Sequence, residues 1–463
     1  MSANSRSTAL IRRVFSSRRT LLKSAAIGAA GVTTPWLAEP AAAGSPSSLA
    51  GLLQTRRSDQ TTTGAGLSAA RLERLNAVMA GHVEQGDAPG LVTVVRRRGE
   101  THVEAIGTTE VDGSEPMRRD TIFRIASVTK PITAVAAMIL VEECVLRLDD
   151  PVDPLLPELA NHQVLRTLES PVDDTVPAKR SITLRDLLTF RLGYGMVFAP
   201  PGTYPIQQAM EESGVFPDVA AGGVMPTLPP DKVMEGYGNL PLLHQPGERW
   251  FYNSGSDILG VLIARATDMT LGELLQERIF TPLGMKDTGF SVPAEKLPRL
   301  ATTYWTNPET GSLEVIDGVT DSRWASPPVF ESGAGGLVST ADDLLAFGEM
   351  MLHKGEYRNK RILSRPSVEL MTTDQIPAEQ KAASPFFPAS WENRGWGFGV
   401  AIVTRRDDLA TPGRYGWFGG YGTSWEVDPT EELIGILLTQ SVDMLFTGGL
   451  QDFWTATYAA IAD

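Results

Sequence analysis

The chain has 463 residues, 42% of them hydrophobic, and a formal net charge of −14 at pH 7. That length supplies material for one large domain or two, and the apolar content is that of a soluble globular protein. The acidic balance argues against nucleic acid or an anionic membrane surface as a partner. Residues 1–43 carry six basic residues and only one acidic residue, so the rest of the chain is more acidic still.

The first 43 residues are predicted to be a twin-arginine-type signal peptide. Ser17–Lys23 (SRRTLLK) resembles the twin-arginine motif, a mild apolar core runs from Ala25 to Leu37, and Ala41–Ala43 offers a small-residue cleavage site. The apolar core is too short for a stable membrane span. We therefore expect a periplasmic or secreted protein, with a flexible leader over residues 44–65 and a folded domain over residues 66–463.

The folded domain shows strand patterns near both of its ends, with a mainly helical lobe between them at about residues 148–338. An amphipathic helix is predicted before the first strands, from Ser68 to about Val83. Strands at both ends around a helical middle indicate one sheet built from both ends of the domain, an α+β arrangement. The predicted strands are 91–96 and 101–106, joined by a turn at Gly99, then 121–124, 397–403, 417–427 and 433–438.

The main signal for chemistry is Ser127–Lys130 (SVTK), which precedes the almost wholly apolar run Ile132–Val141. A helix without a polar face is buried, and Pro131 is tolerated only in a first turn, so the helix should begin near Ser127. Residues three apart share a helix face, with about 5–6 Å between Cβ atoms, which brings the Lys130 amine beside the Ser127 hydroxyl. A hydroxyl becomes a nucleophile when a neighbouring base takes its proton. The spacing alone is weak evidence, because a capping Ser followed by an exposed Lys gives the same pattern.

The rest of the chain offers little competing chemistry. The five histidines are scattered without an H-E-x-x-H pattern, and no G-x-S-x-G is present, so no metal, no cofactor and no Ser-His-Asp triad is expected. The single cysteine, Cys144, is predicted to be buried and inert in the last turn of the apolar helix. Residues 196–245, with apolar Phe198 and Phe216 among Pro and Gly, form either a mobile surface loop or a lid over a substrate.

Four further motifs follow Ser127–Lys130, and their order is more specific than any one of them. They are Ile182–Gly193 (ITLRDLLTFRLG), Pro246–Gly260 (PGERWFYNSGSDILG), Pro282–Met285 (PLGM) and Gly333–Thr340 (GAGGLVST). Together they resemble the serine β-lactamase and penicillin-binding-protein superfamily, on the class C β-lactamase-like, family VIII carboxylesterase branch, over about residues 66–463. The resemblance implies a β-lactamase/DD-peptidase-like catalytic domain, in which an antiparallel sheet is flanked by helices.

In that family a tyrosine from a Tyr-x-Asn element completes the site with the Ser and the Lys. Tyr237, Tyr252 and Tyr357 compete for this place, and Tyr237 (YGN) and Tyr357 (YRN) match the short pattern better. Only Tyr252 has the Pro-Gly-x-x-Trp-x-Tyr lead and the Asp-Ile-Leu-Gly sequence after it. We favour Tyr252, with Tyr237 expected in a mobile stretch and Tyr357 in a solvated turn.

The family's third element, a Lys/His-Thr-Gly on a strand beside the site, falls on Trp417–Trp425 (WFGGYGTSW). The resemblance implies that the N–H groups of Ser127 and Gly420 form an oxyanion hole. Ser254 replaces the Asn of Tyr-x-Asn, and Trp417 with Phe418 replaces the pair that engages a β-lactam carboxylate. A site without those donors should favour uncharged acyl groups over anionic β-lactams.

The resemblance therefore implies an exported serine hydrolase, carboxylesterase-like, that works through a Ser127 acyl-enzyme with Lys130 and Tyr252 moving the proton. The expected partner is a small-molecule ester or amide, most simply an ester with an uncharged, short-to-medium acyl group. Acyl transfer, cleavage of D-amino-acid peptides or amides, and a non-catalytic penicillin-recognising protein stay open at this stage.

Overall fold

The computed structural model describes residues 62–215, 226–307, 310–384 and 390–463. The predicted signal peptide, most of the predicted leader and Phe216 lie outside these ranges. Within them, no helix combines the length and the apolar character needed to cross a membrane.

The strands fall into one large sheet and several two-stranded pairs. In chain order they are β1 (Gly90–Arg97), β2 (Glu100–Gly107), β3 (Phe123–Arg124), β4 (Gln163–Leu165), β5 (Thr175–Pro177), β6 (Thr303–Thr306), β7 (Leu313–Asp317), β8 (Val338–Ser339), β9 (Glu356–Tyr357), β10 (Lys360–Arg361), β11 (Arg394–Trp396), β12 (Ala401–Val403), β13 (Tyr415–Gly419), β14 (Thr423–Asp428) and β15 (Leu433–Thr439). The large sheet has the order β11-β12-β13-β14-β15-β1-β2, and the pairs are β3–β8, β4–β5, β6–β7 and β9–β10.

Helices flank the large sheet and make up much of the chain between its first and last strands. In chain order they are α1 (Ala69–Glu84), α2 (Thr129–Glu142), α3 (Leu184–Leu188), α4 (Pro205–Ser213), α5 (Pro230–Asn239), α6 (Ser254–Thr267), α7 (Leu271–Leu275), α8 (Thr281–Leu283), α9 (Ala341–Leu352), α10 (Arg365–Met371), α11 (Ala378–Ala383) and α12 (Gly449–Ala459). The described residues also include short 3₁₀ turns and a π-helical turn, Gln276–Phe280. The predicted α+β class, with helices flanking an antiparallel sheet, is confirmed.

The centre of the sheet joins the two ends of the domain, as the sequence predicts. β1 is antiparallel to β15 over seven residue pairs, beginning with Leu91 opposite Thr439. Successive side chains of a strand point to opposite faces. In β1 this sends Val92 and Val94 into the core that contains α2 and α9, and Leu91 and Val95 into the core that contains α1 and α12. The sheet is therefore buried on both faces at its centre.

Two of the predicted strands contain a turn, and a third, 121–124, is a strand only over β3. The stretch 417–427 is not one strand but the hairpin β13–β14, which turns at residues 420–422. Gly422 has φ +81°, a conformation that favours glycine. Only the end of the predicted strand 397–403 is extended as β12, because the chain turns back from β11 through Gly399, which has φ +72°.

The prediction for Cys144 is also wrong. Helix α2 ends at Glu142, and Cys144 lies beyond it with φ +59° and an exposed side chain. A left-handed residue directly after a helix turns the chain away from the helix axis. The apolar run ends at Val141, so the sequence itself indicates that the helix ends before Cys144.

Candidate active site

Ser127 lies where the buried helix α2 begins beside the sheet. Ala126–Val128 form a short 3₁₀ turn that leads directly into α2. The residue before this turn, Ile125, is held on two sides. Its N–H donates to the Leu337 carbonyl at 3.0 Å, and its carbonyl accepts from Thr423 Oγ1 at 3.1 Å. Ser127 itself is partly exposed, so a substrate can reach its hydroxyl.

The Lys130 side chain lies against Ser127 and is almost completely buried. Its Nζ donates to Ser127 Oγ at 2.8 Å and to the Ala334 carbonyl at 2.6 Å. Burial lowers the pKa of Lys130 to about 7, and the negative charge of Asp257 opposes this lowering. Near neutral pH a substantial fraction of Lys130 is therefore unprotonated and can accept a proton from Ser127.

Tyr252 supplies a second polar group to Ser127. Its hydroxyl is hydrogen bonded with Ser127 and accepts a hydrogen bond of 2.7 Å from Trp417 Nε1. The centre of its ring lies 4.7 Å from Lys130 Nζ. Burial raises the pKa of Tyr252 above its ordinary value, and the hydrogen bonds with Ser127 and Trp417 act in the opposite direction. The fold thus brings together Ser127 from the turn before α2, Lys130 from α2, and Tyr252 from the segment just before α6.

The backbone around Tyr252 is tightly fixed. Its carbonyl accepts from the N–H of Met196 at 2.9 Å, and the N–H of Phe251 donates to the Phe190 carbonyl at 2.8 Å. A Cβ on Gly195 would come within 2.7 Å of the Tyr252 carbonyl oxygen, so only glycine allows this close approach. The motif around residues 190–195 therefore acts as a support for the segment that carries Tyr252.

Trp417 belongs to a cluster of aromatic side chains that surrounds Tyr252, here called the aromatic wall. The ring centroids of Trp417 lie 5.7 Å from Tyr252, 4.8 Å from Trp396 and 4.5 Å from Phe418. Trp417 is buried and Phe418 is partly exposed. Trp417 thus both orients the Tyr252 hydroxyl and contributes apolar surface. The aromatic wall consists of Phe190, Phe198, Trp250, Tyr252, Trp391, Trp396, Trp417 and Phe418, packed with Ile376 and Ala401.

The end of strand β13 runs beside the turn that carries Ser127. A Cβ on Gly419 would overlap the carbonyl oxygen of Ile125 and Oγ1 of Thr423, so glycine permits the strand to approach this closely. Gly420 follows the strand and has open space where a side chain would be. The structure thus places Gly420 at the strand end that lies next to the Ser127 turn.

The structure does not bring Ser254 to the exposed side of the site. Ser254 is the first residue of α6, is buried, and its side chain is hydrogen bonded with Tyr237. The expectation that Tyr237 is mobile is wrong, because it is buried in α5 and packs against Tyr194 with ring centroids 5.4 Å apart. Tyr357, expected in a solvated turn, is also buried, in strand β9.

The sequence reasoning gave no role to Asp257, which is buried in α6. Its Oδ1 accepts a hydrogen bond of 2.6 Å from Ser332 Oγ and one of 3.1 Å from the N–H of Ala334, the residue whose carbonyl binds Lys130. The available signal was an acidic residue followed directly by the uncharged run Ile258–Ile263, since a lone acid in an apolar helix is rarely without a specific partner.

The site therefore holds a serine hydroxyl with a tyrosine hydroxyl and a buried lysine, whose pKa burial lowers, within hydrogen-bonding distance of it. Such an arrangement can carry out acyl transfer, because a serine hydroxyl in contact with a base can be activated as a nucleophile. The Beta-lactamase family model matches residues 75–452, and the chain belongs to this family.

Relatives and solved structures agree with this assignment. The chain is 39% identical to Protein Rv1367c of Mycobacterium tuberculosis over 368 residues, which cover 77% of this chain and 87% of that protein. It is 31% identical to Esterase EstB of Burkholderia gladioli over 391 residues, which cover 80% and 90% of the two chains. The fold matches that of EstCE1, described as a hydrolase with promiscuous acyltransferase activity, with a TM-score of 0.69 and 24% identity over 85% of this chain and 98% of that one. The protein is a serine hydrolase or acyltransferase of this fold.

Proposed function

We propose that the protein is an exported serine carboxylesterase that hydrolyses uncharged, short-to-medium acyl esters through an acyl-enzyme on Ser127. The observation that carries the proposal is the 2.8 Å hydrogen bond between Lys130 Nζ and Ser127 Oγ, at a place where burial favours neutral lysine. The likeness to EstB, an esterase by name, supports esters as the substrate class. The roles of the individual residues follow from their contacts.

In the acylation step, Ser127 Oγ attacks the ester carbonyl carbon while its proton passes to the Lys130–Tyr252 pair. The N–H groups of Ser127 and Gly420 would hold the oxyanion, and each such donor is worth about 3 kcal/mol. When the tetrahedral intermediate collapses, the bond to the alcohol oxygen breaks. The Tyr252 hydroxyl gives its proton to the departing alkoxide oxygen and regains one from protonated Lys130, which leaves Ser127 acylated.

In the second step, water attacks the acyl carbon and passes its proton to the same pair. The bond to Ser127 Oγ breaks, the carboxylic acid leaves, and the proton returns to Ser127. Trp417 assists both steps because its indole N–H, at 2.7 Å from the Tyr252 oxygen, fixes the direction in which the phenol can donate its proton.

The surroundings of Ser127 favour an uncharged acyl group. Trp417 and Phe418 stand where related sites bind a carboxylate, and the aromatic wall lies directly around Tyr252. Leaving a carboxylate against such a surface without a partner would cost several kcal/mol. Ser254 cannot offset this cost, because its hydroxyl is buried against Tyr237.

The substrate class can be tested with p-nitrophenyl esters of increasing acyl length, a chromogenic cephalosporin and D-amino-acid peptides, each with and without an added alcohol or amine. We expect kcat/KM for the best ester to exceed that for the cephalosporin by at least about 100-fold, or about 2.7 kcal/mol. Comparable values would contradict the proposal. An ester or amide of the added acceptor as the main product would show acyl transfer instead of hydrolysis.

The nucleophile can be identified directly. Incubation with a fluorophosphonate should add one phosphonyl group to the peptide that contains Ser127, as read by mass spectrometry. The Ser127→Ala variant should show neither labelling nor turnover. Labelling that persists in this variant would place the nucleophile elsewhere.

Export through the twin-arginine motif can be tested separately from the enzymatic activity. Replacing Arg18 and Arg19 by lysine should keep the precursor in the cytoplasm, since the twin-arginine pair is the feature that the export machinery reads. The unchanged chain should appear in the periplasm or medium. Equal distribution of the two proteins would contradict a twin-arginine signal.

A further inference from the structure

A buried carboxylate is connected to Lys130 through one loop. Asp257 Oδ1 accepts from Ser332 Oγ at 2.6 Å and from the N–H of Ala334 at 3.1 Å. Ser332 Oγ in turn accepts from the N–H of Gly335 at 3.1 Å. Residues 332–335 are therefore folded around the Asp257 side chain.

The same loop binds the lysine. The carbonyl of Ala334 accepts from Lys130 Nζ at 2.6 Å, and the carbonyl of Gly333 accepts from Thr133 Oγ1, one helical turn further along α2, at 2.9 Å. Ala334 thus faces Asp257 with its N–H and Lys130 with its carbonyl. A displacement of this loop would move the Lys130 amine away from Ser127.

We propose that Asp257 is a positioning residue for acyl transfer. Its carboxylate holds the 332–335 loop that seats the Lys130 amine beside Ser127, and its negative charge opposes the loss of the Lys130 proton. The inference rests on the proposed function, in which Lys130 accepts the proton of Ser127.

The charges around Lys130 determine the direction in which its pKa should change when Asp257 loses its charge. Lys130 faces Ser127 on the turn before α2, Tyr252 on the segment before α6, and the charge of Asp257 on α6. Asp257 also faces Tyr237 on α5. Burial raises the pKa of both tyrosines, so they are neutral near neutral pH. Burial raises the pKa of Asp257 to about 6, so near pH 7 Asp257 is mostly ionised and is the group among these whose negative charge raises the pKa of Lys130. Removing that charge must lower the pKa of Lys130 further.

The test uses Asp257→Asn, since the amide oxygen can still accept from Ser332 and Ala334 while the charge is gone. The readout is the rate of fluorophosphonate labelling of Ser127 between about pH 5 and about pH 9, where labelling requires neutral Lys130. We expect the midpoint of the acidic limb to move to lower pH by about one unit or more. An unchanged midpoint, whatever the effect on stability, would overturn the inference.

A matched control separates this effect from a loss of packing. Asp343 is also a buried aspartate in the first turn of a helix, α9, and accepts from the N–H of Asp287 at 2.7 Å and from Thr288 Oγ1 at 2.8 Å. Asp343→Asn should leave the midpoint unchanged. A shift of the same size in this variant would show a general effect of buried charge and overturn the assignment to Asp257.

If Asp257→Asn does not fold, the positioning role of Asp257 can be tested with a second variant, Ser332→Ala. Ser332→Ala removes the 2.6 Å bond to Asp257 and leaves the charge in place. We expect it to fold and to label at least about tenfold more slowly at high pH, because Ala334 is less firmly held. A rate equal to that of the unchanged protein would contradict the positioning role.

The two proposals fail in different ways. If the unchanged protein is not labelled at Ser127, the proposed function fails and the inference falls with it. If Ser127 is labelled with an acidic limb that neither Asp257→Asn nor Ser332→Ala alters, only the role of Asp257 is wrong.

Discussion

The residues next to Ser127 and Tyr252 hold backbone conformations that L-amino acids rarely adopt. Ala126 has φ +45° and Asn253 has φ +96°. Each such residue costs on the order of 1–3 kcal/mol and persists only where surrounding contacts enforce it. For Asn253, an enforcing contact is the 2.9 Å hydrogen bond from Met196 to the carbonyl of Tyr252. The strain is thus part of how the fold aims Ser127 and Tyr252 at each other.

Tyr252 and Tyr237 should differ sharply when each loses only its hydroxyl. Tyr252→Phe removes the group bonded with Ser127 and Trp417, so acylation should fall by about 10²–10⁴-fold, the usual worth of general acid–base help. Tyr237→Phe removes a buried bond with Ser254, which should cost about 1 kcal/mol of stability. Its kcat should stay within about tenfold of the original.

The measurements are kcat/KM on one ester and urea unfolding for both variants. If Tyr237→Phe abolishes activity while Tyr252→Phe stays active, the roles of the two tyrosines are reversed.

The pH dependence of ester hydrolysis should follow Lys130. Because only neutral Lys130 can take a proton, kcat/KM should fall about tenfold per pH unit below the pKa of Lys130, which burial lowers to about 7. Above it the rate should stay level, since burial raises the pKa of Tyr252 and keeps the phenol protonated. A pH series with a neutral ester checks this expectation. A flat profile between about pH 5 and about pH 9 would show that Lys130 is not the titrating base.

At the scale of elements, the site depends on how closely β13 approaches the Ser127 turn. In Gly419→Ala, the new methyl group would overlap the Ile125 carbonyl, a backbone atom that cannot move without displacing Ser127. Overpacking of this kind costs about 1–3 kcal/mol, and we expect kcat to fall at least about tenfold. The neighbouring Gly420→Ala is the control for stability only, because its methyl group meets no protein atom among the described residues.

Thermal unfolding of both variants distinguishes the two positions, and ester kinetics on Gly419→Ala measure the effect on kcat. Equal losses of stability in Gly419→Ala and Gly420→Ala would contradict the close approach of the strand.

Elements governed by local signals could be predicted from the sequence, and those governed by distant contacts could not. The start of α2 was predictable because Pro131 and the apolar run after it act within one or two turns. The hairpin within 417–427 was hidden, because strand-favouring residues lie on both sides of its glycines.

The difference between local and distant contacts also explains which parts of the site the sequence did not predict. Ser127 and Lys130 are three residues apart, so a helix alone brings them together. Asp257 binds Ser332, which lies 75 residues further along the chain, and no periodicity reports such a contact. Tyr237 looked mobile between two glycines, and its burial depends on Tyr194, which packs against it from outside α5.

At the scale of the whole molecule, the sheet pairs strands from opposite ends of the domain, so folding must join segments more than 300 residues apart. The pairing of β1 with β15 is supported by α1 and α12, which pack against each other and share one apolar core. Contacts of such long range form late or slowly, since the loop between them loses its freedom before they form. Buried polar groups that bind both ends should contribute to stability, because their loss leaves buried hydrogen-bonding partners unsatisfied.

Arg97, at the end of β1, is the clearest of these groups. Its guanidinium is 1% exposed and donates to the Ala65 carbonyl at 2.9 Å, to Glu431 at 2.9 Å and to Asp463 at 2.8 Å. The adjacent Arg98 also binds Asp463, but its side chain is 41% exposed. Arg97→Met would leave the buried Ala65 carbonyl without its partner, which should cost about 1–3 kcal/mol. Arg98→Met removes a solvated pair and should change stability by no more than about 0.5 kcal/mol.

Urea unfolding of both variants, with ester kinetics on the folded proteins, checks this contrast. Similar losses in the two variants, or a loss of kcat in folded Arg97→Met, would show that Arg97 does not act by tying the ends of the domain together.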